Sequence, residues 1–166
     1  MTLAEAATEA NTLAEQGDER ALAQMRAQWD EEVEAAARSA DHRERVVAFR
    51  AVSQFRYRQK IELLRRGLED TSPAVRGAAL LSLELLSRDH PGVVNGVRPL
   101  LHEMVARDPN DAVRRLAVIA LRNGSPQRDT IQILASLSQD DEAGRELREA
   151  AGKVGQMLRK KAGPAR

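Results

Sequence analysis

The chain of 166 residues contains three histidines, which are the residues best suited to bind a metal ion. Their spacing shows whether they could do so together. His42, His90 and His102 are too far apart in sequence to form a local pair of metal ligands. His102 begins the pattern of a zinc-protease helix, but Ala106 stands where that pattern requires a second histidine. The chain contains no cysteine, so it has no thiolate for catalysis or metal binding. The sequence therefore predicts no metal site and no cofactor.

Asp70 and Arg76 are a second candidate for chemistry, because they place an acid and a base six residues apart around a polar corner. The sequence around them contains neither a glycine-rich loop for phosphate nor a nucleophile elbow. Trp29, the single tryptophan, lies among acidic residues. We therefore predict no catalytic residue and expect that the protein is not an enzyme.

Residues 41–66 form a basic segment with a net charge of +5, from eight basic residues against three acidic ones. The basic residues are Arg43, Arg45, Arg50, Arg56, Arg58, Lys60, Arg65 and Arg66. Phe49, Phe55 and Tyr57 are interleaved with them. Because arginines neutralise phosphates and aromatic rings stack on exposed bases, this segment is a candidate for nucleic-acid binding.

Residues 1–38 carry the opposite charge, with nine acidic residues against three arginines and a net charge of −6. A helical pair in this region, stacked on the first repeat, brings these acids close to the basic segment. Phe49 also shares a helical stripe with Val52, which is typical of a core position. Phosphate binding, internal charge matching and simple solvation of the basic segment therefore remain alternatives, and the acidic face is a candidate surface for a basic partner.

The spacing of apolar residues predicts a helical hairpin between Leu68 and Leu86. Ser72 is placed to cap the second helix, and Pro73 is tolerated at its first position, where a missing N–H loses no partner. Aromatic residues are only 2% of the chain, so the core consists mainly of small aliphatic side chains. A hairpin of this size cannot bury its apolar stripe alone, which implies neighbouring copies.

Similar spacing predicts helices along the rest of the chain, including an acidic pair over residues 2–16 and 19–37. A later helix opens at Asp89-His90-Pro91, and Pro99 falls inside it, where we expect a kink. The last helix is predicted to open at Asp140-Asp141 and to run toward Lys161.

The corner pattern recurs 38 residues later, where Asp108 precedes Arg114 by the same six positions that separate Asp70 from Arg76. The segments DTSPAVRGAALLSL and DPNDAVRRLAVIAL resemble the second-helix signature of the HEAT-repeat family, a group of armadillo-like α-solenoids. Two partial copies flank them. The copy after Asp140 has two extra residues in its corner, and the copy aligned on Val47 lacks the arginine after the valine.

The resemblance implies a right-handed α-solenoid of HEAT-like hairpins. We expect an N-terminal cap over residues 1–38, three to four repeats over residues 39–161 and a flexible tail over residues 162–166. It also implies a structural ladder of charged side chains that links neighbouring repeats. The ladder residues are Asp70, Arg76, Asp108 and Arg114.

Members of this family usually act as scaffolds, so the resemblance implies a non-enzymatic module that binds a protein or peptide on the solenoid surface. Exposed arginines and lysines on that surface suit an acidic partner. The predicted binding residues are Arg56, Arg58, Lys60, Arg65, Arg76, Arg115 and Arg122. Nucleic-acid binding through residues 41–66 is the alternative function.

The first twenty residues carry acids where a signal peptide requires basic residues and an apolar core. No stretch reaches the roughly 18 apolar residues of a membrane span. We therefore expect a cytoplasmic protein without membrane contact.

Overall fold

The computed structural model describes residues 1–164, and in that range the chain forms ten α-helices and no strand. The helices are α1 (Leu3–Glu15), α2 (Glu19–Ala37), α3 (His42–Gln54), α4 (Ile61–Leu68), α5 (Pro73–Ser87), α6 (Gly92–Asn95), α7 (Arg98–Arg107), α8 (Asp111–Ala120), α9 (Arg128–Ser138) and α10 (Arg145–Ala162). Short 3-10 helices span Arg58–Lys60 and Leu121–Asn123. The all-α fold class predicted from the apolar spacing is confirmed.

Short polar side chains begin the two helices that carry the repeat. The Ser72 hydroxyl accepts the N–H of Val75 at 3.4 Å, and Pro73 is the first residue of α5. The Asn110 Oδ1 accepts the N–H of Val113 at 3.0 Å at the start of α8. Each cap satisfies an N–H that has no partner inside the helix, and such a cap is worth about 1 kcal/mol.

The helices divide into two compact units, and the first unit is Met1–Leu86. Within it, α1 packs against α2 and α3. Ala6 and Ala10 on α1 are fully buried, and their small size lets the helices approach closely. All four aromatic residues of the chain belong to this unit and are buried: Trp29, Phe49, Phe55 and Tyr57.

The second unit is Ser87–Arg166, described as far as Pro164. Within it, α7 packs against α8, and α10 packs against both α8 and α9. Its core is aliphatic and includes Leu101, Val118, Leu134, Leu147 and Leu158. Of the tail predicted to be flexible, Ala162 is the last residue of α10, and residues 165 and 166 lie outside the described range.

The prediction of a single kinked helix around Pro99 is wrong. The chain instead forms two helices, because α6 ends at Asn95 and α7 begins at Arg98. Pro99 occupies the first turn of α7, where its missing N–H needs no partner and its ring meets no preceding turn. A complete break therefore replaces the kink.

The predicted start of the last helix at Asp140-Asp141 is also wrong, because α10 begins at Arg145 with Gly144 as its N-cap. A turn occupies the residues in between. The Asp140 carboxylate accepts the N–H of Glu142 at 2.9 Å, and its carbonyl accepts the N–H of Ala143 at 3.0 Å. An aspartate that bonds the backbone two residues ahead favours a turn over a helix.

Candidate functional site

The corner between α4 and α5 is joined to α3 by a two-pronged ion pair. Arg45 Nε lies 3.0 Å from Asp70 Oδ2, and Arg45 Nη2 lies 3.0 Å from Asp70 Oδ1. Both side chains are largely buried, with exposed fractions of 16% and 14%. Paired oxygens facing paired N–H groups give a strong, directional contact. The geometry suits a structural link.

The environment of Asp70 keeps its carboxyl group charged. Burial alone raises the pKa of a carboxyl group, but the hydrogen bonds from Arg45 and from the Ser72 N–H outweigh that effect. The pKa of Asp70 is therefore held below its ordinary value. A carboxylate that stays ionised and fully bonded is poorly suited to accept and return a proton at neutral pH.

The aspartates of the corners share a second role. Asp70 accepts the N–H of Ser72 at 2.9 Å, Asp108 accepts the N–H of Asn110 at 2.9 Å, and Asp140 makes the same bond two residues ahead. Each bond closes a turn between two helices. The recurrence of this aspartate therefore reflects the need to turn the chain at each corner.

Four arginines occupy one equivalent position, four residues after the residue that caps each helix. They are Arg45, Arg76, Arg114 and Arg148, after Asp41, Ser72, Asn110 and Gly144. The alignment on Val47 placed the first of these copies in the wrong register, and for that reason it showed no arginine there. The cap at Asp41 places Arg45 in the arginine position, and the capping residue was the signal that could have shown it.

The arginines of the second and third copies also bond to the backbone that precedes their helices. Arg76 Nη1 donates to the carbonyl of Asp70 at 2.9 Å, and Arg114 Nε donates to the carbonyl of Val105 at 2.9 Å. These carbonyls lie at or near the end of the preceding helix, where helical partners are missing. The contacts support a structural role for both arginines.

Lys60 lies against the acidic helix α2 and is only 8% exposed. Its ammonium bonds to Glu34 at 2.7 Å and also forms an ion pair with Asp30. Burial lowers the pKa of a lysine, but these two carboxylates outweigh it and raise the pKa of Lys60. Lys60 was predicted to bind a partner, but both of its acidic contacts lie within the chain. We therefore do not include it among the residues that we propose to bind a partner.

The aromatic residues of the basic segment are buried and present no ring to solvent. The exposed fractions are 2% for Phe49 and 0% for both Phe55 and Tyr57. The Tyr57 hydroxyl donates to the carbonyl of Arg26, and burial followed by the charge of Asp30 raises the pKa of Tyr57. No aromatic side chain in this segment is available to stack on a base.

The arginines of the predicted binding set are either half-buried or exposed. Arg56 is half-buried in the left-handed region, with φ of 59°, and it donates to Asn11 Oδ1 at 3.0 Å. Arg76 and Arg122 are also half-buried. Those whose side chains are exposed are Arg58, Arg65 and Arg115.

A groove of about 570 Å³ lies between α9 and α10 in the second unit. Small residues line its middle: Ala135 and Ser138 from α9, and Ala151, Gly152 and Gly155 from α10. This groove was not predicted from the sequence. Its signal was the pair of glycines three residues apart inside a predicted helix, where glycine is otherwise unfavourable.

Arginines flank the groove at both ends. Arg145 and Arg148 lie at one end and Arg159 at the other, with Glu149 as the single acid in the lining. Arg145 Nε bonds to Glu149 at 2.9 Å, and this bond lowers the pKa of Glu149. Arg159 makes no ion pair with any of residues 1–164. The lining therefore has a net charge of +2.

His102 is half-buried and Arg98 is buried in the second unit. His102 Nε2 lies 2.8 Å from the Thr130 hydroxyl, and burial, followed by the charge of Arg98, lowers the pKa of His102. Arg98 bonds to the Ser125 hydroxyl at 2.9 Å. Among the described residues, no group of three or more acidic or histidine side chains is arranged to hold a metal ion.

The helical hairpins, their aspartate turns and the arginine at one repeated position define an α-helical repeat protein. The chain belongs to the HEAT-repeat family, because a family model described as HEAT repeats matches residues 31–122, which are 92 of its 166 residues. Members of this family stack helical hairpins into solenoids and are commonly non-enzymatic scaffolds for protein interactions.

Searches of curated proteins and of solved structures gave no match. The family match begins within α2 and ends in the 3-10 helix Leu121–Asn123. In residues 1–164, none of the helices has the length and apolar character needed to cross a membrane.

Proposed function

We propose that this HEAT-repeat protein is a non-enzymatic interaction module that binds an acidic segment of a partner protein. One observation carries the proposal. The side chains of Arg58, Arg65 and Arg115 are exposed and make no hydrogen bond or ion pair with the described part of the chain. Exposed cations without internal partners remain available to carboxylates on another protein, where they set specificity and association rate.

The internal bonding of the basic segment favours a protein partner over nucleic acid. In the basic segment, Arg45 is bonded to Asp70, and Lys60 is bonded to Asp30 and Glu34. These bonds reduce the positive charge available to a phosphate backbone, and the buried aromatic rings remove the means of stacking on bases.

We retain the predicted division of the chain as part of this proposal. Residues 1–38 act as an acidic cap, and residues 39–161 carry the repeats. The contacts of Lys60 with Asp30 and Glu34 support the cap, because they join α2 to the start of α4 through opposite charges.

Affinity capture from the native lysate, read by mass spectrometry, tests the function. The wild-type chain is expected to retain a reproducible protein partner, and a variant with Arg58→Glu, Arg65→Glu and Arg115→Glu is expected to lose it. Arg20→Glu is the matched control, since it reverses an exposed arginine in the acidic region. A wild-type chain that retains no protein, but binds nucleic acid with a steep salt dependence, contradicts the proposal.

A further inference from the structure

We propose that the groove between α9 and α10 holds an acidic helix of a partner protein. This inference rests on the proposed function and gives it a second, defined contact site. The groove has a volume of about 570 Å³. Its shape, its small side chains and its charge each restrict what can occupy it.

The small residues in the lining favour a helix as the occupant. A Cβ atom placed on Gly152 meets only the Cβ of Ser138, at 3.9 Å, so the space beside Gly152 is open. A Cβ atom on Gly155 lies closer, 3.4 Å from the Cβ of Leu134, so that glycine mainly lets α9 and α10 approach. Helices pack at about 8–10 Å between axes, and small residues permit the closest approach. A helix lying along the groove meets Ala135 beside this open space.

The arginines define the charge and the length of the occupant. Arg148 and Arg159 are eleven residues apart on one helix, which corresponds to roughly 17 Å at 1.5 Å per residue. A partner helix with carboxylates about eleven residues apart brings one to each arginine. The only ion pair of Arg148 in the described chain, with the exposed Asp141, is long at 4.0 Å. A basic occupant meets like charges at both ends and is disfavoured.

Titration of the full-length protein with a synthetic helical peptide tests this proposal. The probe is an alanine- and leucine-rich helix of about five turns, with glutamates near both ends spaced as above. Its counterpart has lysine in place of every glutamate. We expect the acidic peptide to shift the amide signals of Gly152 and Gly155 in heteronuclear NMR spectra. The amide signal of Gly92, which does not line the groove, is expected not to shift. The lysine peptide is expected to leave all three amide signals unchanged.

Filling the groove provides the sharpest variant. Gly152→Leu places a side chain in open space and improves helix propensity, so the variant is expected to fold at least as well as the wild type. Binding of the acidic peptide is expected to weaken by about tenfold or more, because the leucine occupies the space that the partner helix needs.

Two charge variants predict effects of opposite sign. Arg159→Glu is expected to weaken peptide binding by about tenfold, because a cation becomes a like charge opposite the peptide carboxylate. Glu149→Gln is expected to tighten binding, since it removes the one acid of the lining and releases Arg145 from its ion pair. Gain from one variant and loss from the other cannot both arise from general unfolding.

The groove proposal and the proposed function fail separately. Absence of a shift at Gly152, equal binding of the lysine peptide, or unchanged affinity in Gly152→Leu overturns the acidic helix in the groove. If the wild-type chain still captures a protein partner in those cases, the interaction function stands and the partner binds elsewhere. If it captures no protein, the function itself is overturned.

Discussion

Gly67, near the end of α4, allows one of the closest contacts in the first unit, and Gly67→Ala tests how tightly that core is packed. A Cβ atom at this position lies 2.7 Å and 2.8 Å from two ring carbons of Phe49, and 2.9 Å from the Cβ of Ala79. Ordinary contacts begin near 3.4 Å, so the neighbours must move by more than half an ångström. We therefore expect alanine to destabilise the protein.

The size of the loss follows from how little these neighbours can move. The Phe49 ring is 2% exposed, and its backbone carbonyl accepts a hydrogen bond from the buried Ser82 hydroxyl. Overpacking of such a core costs about 1–3 kcal/mol, and replacing a helical glycine by alanine offsets about 0.5–1 kcal/mol. The expected net loss is about 1–2 kcal/mol, or a fall in Tm of roughly 2–8 °C.

Urea unfolding followed by far-UV circular dichroism measures this loss, and Gly152→Ala is the matched control. Gly152 is also a helical glycine, but its added Cβ finds an ordinary contact at 3.9 Å. The control is therefore expected to gain about 0.5–1 kcal/mol from helix propensity. If both substitutions stabilise the protein, or if Gly67→Ala leaves the midpoint unchanged, the packing argument is refuted.

Three further predictions concern the charged groups. Asp70→Ala is expected to cost about 2–4 kcal/mol, because it removes both bonds to Arg45 and leaves that guanidinium with backbone carbonyls but no carboxylate partner. The exposed Asp141→Ala is expected to stay within about 0.5 kcal/mol of wild type in urea titrations. His102 has a pKa below its ordinary value, so its contribution to stability is complete above about pH 6.5 and is lost as the pH falls. The urea unfolding midpoints measured at pH 5 and at pH 7.5 are therefore expected to differ less in His102→Gln than in the wild type. Lys60→Met is expected to cost about 1 kcal/mol at pH 7, by thermal unfolding, because two carboxylates lose their cation.

Each of these has an outcome that contradicts it. Equal losses for Asp70→Ala and Asp141→Ala mean that the buried pair contributes nothing beyond a surface charge. An unchanged pH dependence in His102→Gln assigns that dependence to other groups. A Lys60→Met variant as stable as wild type means that burial of the ammonium cancels its ion pairs.

The sequence predicted the fold well wherever local chemistry decides the backbone. Ser72, Pro73 and Asn110 begin helices as expected, because a capping hydroxyl or amide and a proline act within one turn. The repeated aspartate and arginine led to the correct family. Each of these signals depends on neighbours within a few residues, which a sequence displays directly.

The sequence failed where two local preferences compete or where tertiary contact decides. Pro99 suits both a kink and a helix start, and only the break after Asn95 selects between them. From its neighbours in sequence, Lys60 was predicted to be a surface cation, but in the fold Asp30 and Glu34 of α2 form ion pairs with it. The groove beside Gly152 depends on how α9 and α10 pack, which side-chain spacing along one helix does not determine.

The confinement of all four aromatic residues to the first unit has a consequence for spectroscopy. Trp29 and Tyr57 are buried there, and residues 87–166 contain no aromatic side chain. Intrinsic fluorescence therefore reports only on the first unit, whereas the backbone signal in the far ultraviolet reports on both. Comparing the two curves during one denaturation separates the unfolding of the units without an added label. Coincident curves mean that they unfold as one cooperative block, and a fluorescence change that precedes or follows the backbone signal measures the difference in their stabilities.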